Sequence, residues 1–138
     1  MSYAFGPNNE PDYVGDLLLW CSDLDYCVEK RTITNATGLA REYVVGEALD
    51  GTDIETITET DVDGILLTPS GESIANGASF DAAVLVRGPA VIDMDEVVLN
   101  GLTKATLQTH LENGAATWVP PLKIAPVPSN VETGKAGN

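Results

Sequence analysis

The chain has 138 residues, and 43% of them are apolar, which is enough to build the core of one small domain. Its formal net charge of −14 repels polyanions, so the composition argues against nucleic-acid binding. The first twenty residues show neither a basic segment nor an apolar run long enough for a secretion signal or a membrane span. We therefore expect a protein that is made in a cytoplasm and does not insert into a membrane.

Residues 1–16 are predicted to form an extended N-terminal arm, because prolines and asparagines interrupt any regular pattern there. Large side chains are nevertheless spaced along the arm, and a purely solvated tail would not normally concentrate them. Docking on the chain's own domain and docking on a partner both remain open. The residues expected to make such contacts are Tyr3, Phe5, Pro7, Pro11 and Tyr13.

Short strands are predicted between residues 17 and 49. The segment LLLWC is a compact apolar run, and RTITNATG places Thr32 and Thr34 on one face and Ile33 on the other before a turn. The segment REYVVGEAL is expected to form a strand that is interrupted at Gly46.

Residues 50–64 are acidic and keep no consistent period, so they predict a loop with one short strand. Asp61 and Asp63 lack the spacing of a calcium-binding loop. Cys21 and Cys27 cannot complete a four-ligand zinc site with one distant histidine, so we expect no metal and two reduced, partly buried thiols.

The centre of the sheet is predicted between residues 64 and 93. Asn76 and Gly77 favour a tight hairpin turn. Five consecutive apolar residues, 82–86, indicate a strand that is covered on both faces. Gly88 and Pro89 end it, since proline cannot donate to a ladder of backbone hydrogen bonds.

One helix is predicted over about residues 103–113, where Leu107 and Leu111 lie one turn apart and Asn113-Gly114 provides a stop. His110 borders this stripe and is interpreted as a packing or solvent-facing residue. The chain after Trp118 is rich in proline, so residues 120–138 are expected to form an extended tail.

The sequence contains no Gly-x-Ser-x-Gly elbow, no glycine-rich phosphate loop and no His-Glu-x-x-His motif, so we do not expect an enzyme or a cofactor. Arg87 is the unusual group, because it follows a buried strand in an acidic chain. We expect it to pair with a carboxylate, either within the chain or on an adjacent subunit.

The order of REYVVGEAL, DGILL and AAVLVRGPAVI, followed by a short leucine-containing helix, resembles the lambda-type head decoration family of tailed bacteriophages. The resemblance covers about residues 30–119. It implies a β-tulip domain that forms homotrimers at threefold positions on the outside of a capsid, with an arm that touches the major capsid protein. The strand contains too many apolar residues to lie exposed at the edge of a sheet, so we expect it to be covered by a second subunit. The expected subunit interface comprises Val84, Val86, Arg87, Pro89 and Val91.

The predicted fold is therefore mainly β: a small β-tulip or barrel-like domain over residues 17–119 with one short helix, an arm and a proline-rich tail. The segment between Gly46 and Gly64 is shorter than the family pattern, and the tail is an addition to it. The expected function is that of a structural virion protein on the outer capsid surface, assembled in the host cytoplasm.

Two other interpretations remain open. A carbohydrate-binding β domain on a virion or cell surface would need clustered exposed aromatics, whereas Trp20 and Trp118 lie far apart in the sequence. A lipoyl-type carrier would need a lysine at a hairpin tip, and none of the four lysines occupies such a turn.

Overall fold

The computed structural model describes residues 17–55, 57–114 and 117–125, and these residues form a mainly β fold. They contain seven strands in two sheets and one helix longer than a single turn, which confirms the predicted fold class. The strands are β1 (Leu18–Cys21), β2 (Val28–Thr34), β3 (Ala48–Leu49), β4 (Gly64–Leu66), β5 (Ser79–Leu85), β6 (Ala90–Ile92) and β7 (Leu122–Ile124). The helices are α1 (Leu24–Cys27) and α2 (Lys104–Asn113), and the 3-10 turns are Glu59–Asp61 and Met94–Glu96.

The larger sheet has the strand order β2-β5-β4-β3, and its longest ladder is the antiparallel pair β2 and β5. The alternation predicted for β2 is confirmed, because Ile33 is fully buried while Thr32 and Thr34 form cross-strand hydrogen bonds on the outer face. Leu85 packs into one core cluster and Val84 into a second. This sheet is therefore covered on both faces along β5, as the apolar run predicted.

The smaller sheet has the order β1-β6-β7, with β1 antiparallel and β7 parallel to β6. Its inner side chains, among them Leu18, Ile92 and Leu122, pack on the first core cluster. Helix α2 closes that cluster with Leu107 and Leu111, which are fully buried. The helix lies within one residue of its predicted bounds, since the leucine stripe and the stop signal both lie in the local sequence.

The predicted boundary at residue 119 is wrong, because the chain returns to the smaller sheet after Pro121. Strand β7 pairs with β6 from Leu122 to Ile124, and Leu122 is 3% exposed. The first part of the predicted tail is therefore part of the domain. The residues after 125 lie outside the described chain.

Two local predictions need correction. The segment 41–49 is interrupted at Gly46, as predicted, but only its second part forms a strand, β3, whereas the first part makes no more than an isolated bridge at Arg41. The turn at Asn76-Gly77 exists but closes no tight hairpin, since Ile74 bridges to Arg41 while β5 pairs with the distant β2. Long-range pairing prevails over the local turn signal at Asn76-Gly77.

Candidate functional site

Two of the predicted interface residues are already buried inside the chain. Val84 is fully buried and Val86 is 7% exposed, and both belong to the second core cluster. Val84 therefore has no free surface for a contact with a neighbour in this conformation, and Val86 has little. The apolar run covers the chain's own core instead.

Arg87 contacts helix α1 and no carboxylate within the described residues. Its guanidinium donates to the backbone carbonyl of Tyr26 and lies over the Tyr26 ring, 5.0 Å from the centroid. The ion pairs of the described residues do not include Arg87. Among the described residues the end of α1, rather than a carboxylate, therefore supplies Arg87 with an acceptor and a π face.

The other two predicted interface residues, Pro89 and Val91, lie on the outer face of the smaller sheet. Val91 pairs with Trp20 on β1 and with Lys123 on β7, so these three side chains form one row across the sheet. Together with Pro89 and Pro121 they line an open groove of about 320 Å³. We call this surface, defined by Trp20, Pro89, Val91, Pro121 and Lys123, the outer groove.

A bulge in β1 exposes Trp20. Leu18 pairs with Ile92 and Trp20 pairs with the next residue of β6, so Leu19 is an extra residue in the ladder. A bulge redirects the side chains around it. Leu19 is 49% exposed and Trp20 is 52% exposed, although both belong to an apolar run that the sequence predicts to be a compact strand.

Gly88 allows the two backbone segments at the proline-rich end of the groove to pack closely together. Its N–H donates to the Pro120 carbonyl at 2.7 Å, and a Cβ at this position would lie 2.1 Å from the Pro121 carbonyl oxygen. Only glycine permits this approach of two backbone segments. The Gly88-Pro89 and Val119-Pro120 peptide bonds are both cis.

The single histidine is buried in the packing of helix α2, and it also lines an open cavity of about 490 Å³. His110 is 7% exposed, and its Nε2 lies 3.1 Å from the Val62 carbonyl oxygen. Trp118 Nε1 donates to the same oxygen at 2.9 Å. Because a carbonyl only accepts, His110 must donate from Nε2, and the packing interpretation is confirmed.

Both cysteines are buried free thiols, in agreement with the sequence. Burial, together with the neighbouring Cys27, raises the pKa of Cys21 to about 11. The Cys27 thiol lies 3.7 Å from the Pro89 carbonyl oxygen. With its raised pKa, the Cys21 thiol is a poor nucleophile near neutral pH.

The acidic segment is organised by Arg31. The guanidinium contacts Asp63 Oδ1 at 3.0 Å, Glu29 Oε2 at 3.2 Å and the Gly51 carbonyl at 2.9 Å. Burial raises the pKa of Asp50, and Asp63 is the next contributor.

No group of three or more metal-ligating side chains lies together in the described part of the chain. No helix among the described residues is long and apolar enough to cross a membrane.

A buried carboxylate fixes the irregular segment around Gly46. Glu47 is fully buried and accepts hydrogen bonds from Arg41, from the Val44 N–H at 3.0 Å and from Asn100 Nδ2 at 2.8 Å. A buried charge needs such partners. The sequence shows none of them, because Asn100 is 53 residues away along the chain.

The predicted arm residues, Tyr3, Phe5, Pro7, Pro11 and Tyr13, lie outside the described residues. Trp20 is the surface residue that the sequence reading missed, and only the exposed position of a bulge reveals it. A comparison of the chain with protein-family models, with curated proteins and with solved structures found no match.

Proposed function

We propose that this protein is a structural virion protein that binds the outer surface of a phage capsid as homotrimers and stabilises the head. The observation that carries the proposal is the outer groove, an exposed apolar surface on a strongly acidic domain. The order of the sequence segments, which resembles the head decoration family, supports the same function. The major capsid protein is the proposed partner.

The outer groove fits contact with a second copy of the chain. Each copy carries a net charge of −14, so two copies repel unless they meet through a surface with little net charge. The groove is lined by apolar residues and by one charge of each sign, Lys123 and Glu112. Tryptophan at the centre of such a surface often contributes a large share of the binding energy.

The rival carbohydrate-binding function is less well supported. Sugar-binding surfaces use several exposed aromatic rings, but Trp118 is fully buried and its indole N–H is bonded to Val62. Trp20 is therefore the one exposed tryptophan of this chain. We do not propose this function.

The first experiment mixes the purified protein with undecorated phage heads and images the particles by cryo-electron microscopy. We expect density at threefold positions, with contacts between copies that include the outer groove. Trp20→Ser should lower occupancy by about tenfold or more at a fixed protein concentration. Leu39→Ser is the matched control, because Leu39 is also an exposed apolar residue, at 77%, and lies outside the groove.

The second experiment tests the arm. Deletion of residues 2–13 should leave a folded and soluble domain that no longer holds heads tightly, because aromatic arm residues supply contact area with few rotors. An ordered arm can also add a strand to a capsid sheet. Unchanged affinity for heads after the deletion would exclude the arm as the anchor. Single, mutually separated copies on heads would refute the trimer.

A further inference from the structure

The outer groove is an exposed surface that a contact between copies would cover. Trp20, Pro89, Pro121 and Lys123 are exposed there, and Val91 is half-buried between them. A groove with an exposed tryptophan beside prolines offers apolar area for a contact, and tryptophan often contributes much of the energy of such a contact. The part of the neighbouring copy that enters the groove is what remains to be assigned.

The symmetry of a trimer argues against contact between two outer grooves. A surface that packs against the same surface of a second copy forms a twofold interface and gives a dimer. In a ring of three, each copy presents one surface to the next copy and a different surface to the previous one. In the proposed trimer, the groove of one copy therefore meets a different part of the neighbouring chain, and this step rests on the proposed function.

The charge beside the groove narrows the choice. Four basic side chains of the described residues form ion pairs with carboxylates that are also described, whereas Lys123 and Arg87 form none there. Lys123 lines the groove, and Arg87 precedes the Gly88-Pro89 segment in the chain. Glu112 also lines the groove, but the two residues form no ion pair. Lys123 is therefore available to pair with a carboxylate of the segment that enters the groove.

The N-terminal arm, residues 1–16, has the matching composition. It contains Glu10, Asp12 and Asp16 and no basic residue. It also contains two prolines and half of the tyrosine and phenylalanine residues of the chain. Segments rich in proline bind in grooves that are lined by aromatic side chains. Residues 126–138 match less well, because they contain no aromatic residue and carry one glutamate and one lysine.

The arm also joins the domain in a suitable place. Leu17 directly precedes β1, and Leu18 pairs with Ile92 in the sheet that carries the groove. Sixteen residues span at most about 55 Å when they are extended, which exceeds the diameter of a small domain, about 30 Å. The arm of one copy is therefore long enough to reach the outer groove of an adjacent copy.

We propose that the outer groove of one copy binds the N-terminal arm, residues 1–16, of the next copy. Aromatic and proline side chains of the arm pack against Trp20, and an arm carboxylate pairs with Lys123. Each copy has one arm and one groove, so a ring of three fills all its grooves. The contact joins apolar area to a local ion pair, which offsets part of the repulsion between acidic copies.

The first test titrates the full chain with a synthetic peptide of residues 1–16 and follows tryptophan fluorescence. Trp20 is exposed and Trp118 is fully buried, so binding in the groove changes the emission of Trp20. We expect a saturable change. A peptide of residues 126–138 is the control for the other end of the chain, and we expect it to bind at least tenfold more weakly.

Variants of the full chain locate the binding surface, with calorimetry as a measurement that does not need the Trp20 signal. Trp20→Ser should weaken binding of the arm peptide about tenfold or more. Lys123→Gln should weaken it about threefold, the effect of one exposed ion pair. Lys30→Gln makes the same change of charge at an exposed lysine on β2 of the larger sheet and should leave binding unchanged.

The second test asks whether the arm crosses between copies. An unlabelled full chain with a photoreactive benzophenone side chain in place of Tyr13 is mixed with ¹⁵N-labelled wild-type chain, and the cross-linked peptides are identified by mass spectrometry. We expect cross-links from the unlabelled arm to labelled peptides that contain Trp20 or Lys123. Cross-links confined to one chain would show that each arm covers its own groove and would overturn the proposal.

Three results of the titrations would also overturn it: no saturable binding of the arm peptide, equal binding of the tail peptide, or equal effects of Lys123→Gln and Lys30→Gln. A trimer that persists in any of these cases would keep the proposed function and move the arm elsewhere. A chain that binds the arm peptide in the groove, yet stays monomeric in solution and on heads, would support the recognition of arm by groove and contradict the proposed trimer.

Discussion

Arg87 lies with its guanidinium over the ring of Tyr26 and donates to the carbonyl of the same residue. Two contacts from one side chain tie the chain after β5 to helix α1, next to the buried Cys27. The arrangement needs a planar cation, because an ammonium group cannot both stack on the ring and present several donors in a plane. Arg87 therefore has a structural role that does not require a carboxylate partner.

Arg87→Ala should lower the free energy of unfolding by about 1 kcal/mol, the range of a partly exposed cation–π contact with one hydrogen bond. Arg87→Lys should recover part of the loss, since it keeps the charge but not the planar stack. Urea unfolding of the three proteins measures the difference. A loss of several kcal/mol would instead indicate an unpaired buried carboxylate, and equal stability of all three would show that the stack contributes nothing.

Gly46 is a second residue whose identity is fixed by geometry. Its φ is +97°, and a Cβ would lie 2.1 Å from the backbone oxygen of Glu96. Gly46→Ala should therefore destabilise the fold by about 2–4 kcal/mol, from backbone strain plus a collision with an immobile atom. Gly77→Ala is the matched control, because Gly77 has φ +88° but no atom within 4 Å of its Cβ position.

Gly77→Ala should cost only the strain, about 1 kcal/mol. Thermal and urea unfolding of both variants make the comparison. Equal losses at the two positions would mean that the segment around Glu96 relaxes readily, and that Gly46 is required for its φ alone.

At the scale of elements, the N-terminus of helix α2 is stabilised by a carboxylate that is distant in the sequence. Thr103 precedes the helix but makes no capping bond with its own side chain. Glu59 Oε2 accepts the Thr103 N–H at 2.6 Å instead. This bond lowers the pKa of Glu59 below its ordinary value of 4.5. A carboxylate near a helix N-terminus also interacts favourably with the backbone dipoles.

The sign of the pH dependence follows from that lowered pKa. The unfolded chain binds a proton at Glu59 more readily than the folded one, so the stabilisation is complete above pH 4.5 and is lost as the pH falls through the folded value. Glu59→Gln should be slightly less stable at neutral pH and should lose less stability on acidification. Urea unfolding between pH 7 and about pH 3 tests this. Glu42→Gln, at an exposed site outside the helix, should keep the wild-type pH slope.

Local patterns predicted those elements whose signal lies in consecutive residues. The alternation around Ile33 identified β2, and the leucine stripe of Leu107 and Leu111 identified α2. Strand β7 was missed because three residues next to prolines become a strand only by pairing with β6, about 30 residues earlier. The predicted interface contained two residues of the outer groove, Pro89 and Val91. Trp20 was not predicted, because it reaches the groove through a bulge that cannot be recognised from the amino-acid sequence.

At the scale of the whole molecule, the net charge opposes the self-association that we propose. A trimer would carry three times the −14 of one chain, concentrated in a small volume. Such a charge keeps particles apart in solution but weakens any contact between copies through mutual repulsion. The described residues offer the outer groove, rather than a set of ion pairs, as the surface where that repulsion can be overcome.

Salt should therefore strengthen the trimer. Raising the ionic strength from about 0.01 M to about 0.15 M shortens the screening length from about 30 Å to about 8 Å, which reduces repulsion between copies and leaves apolar contacts in place. Sedimentation velocity across this range should show the trimer fraction rising with salt, and Trp20→Ser should remain monomeric throughout. A trimer that dissociates as salt is added would mean that ion pairs hold the copies together. A salt-strengthened trimer that Trp20→Ser leaves intact would move the contact away from the outer groove.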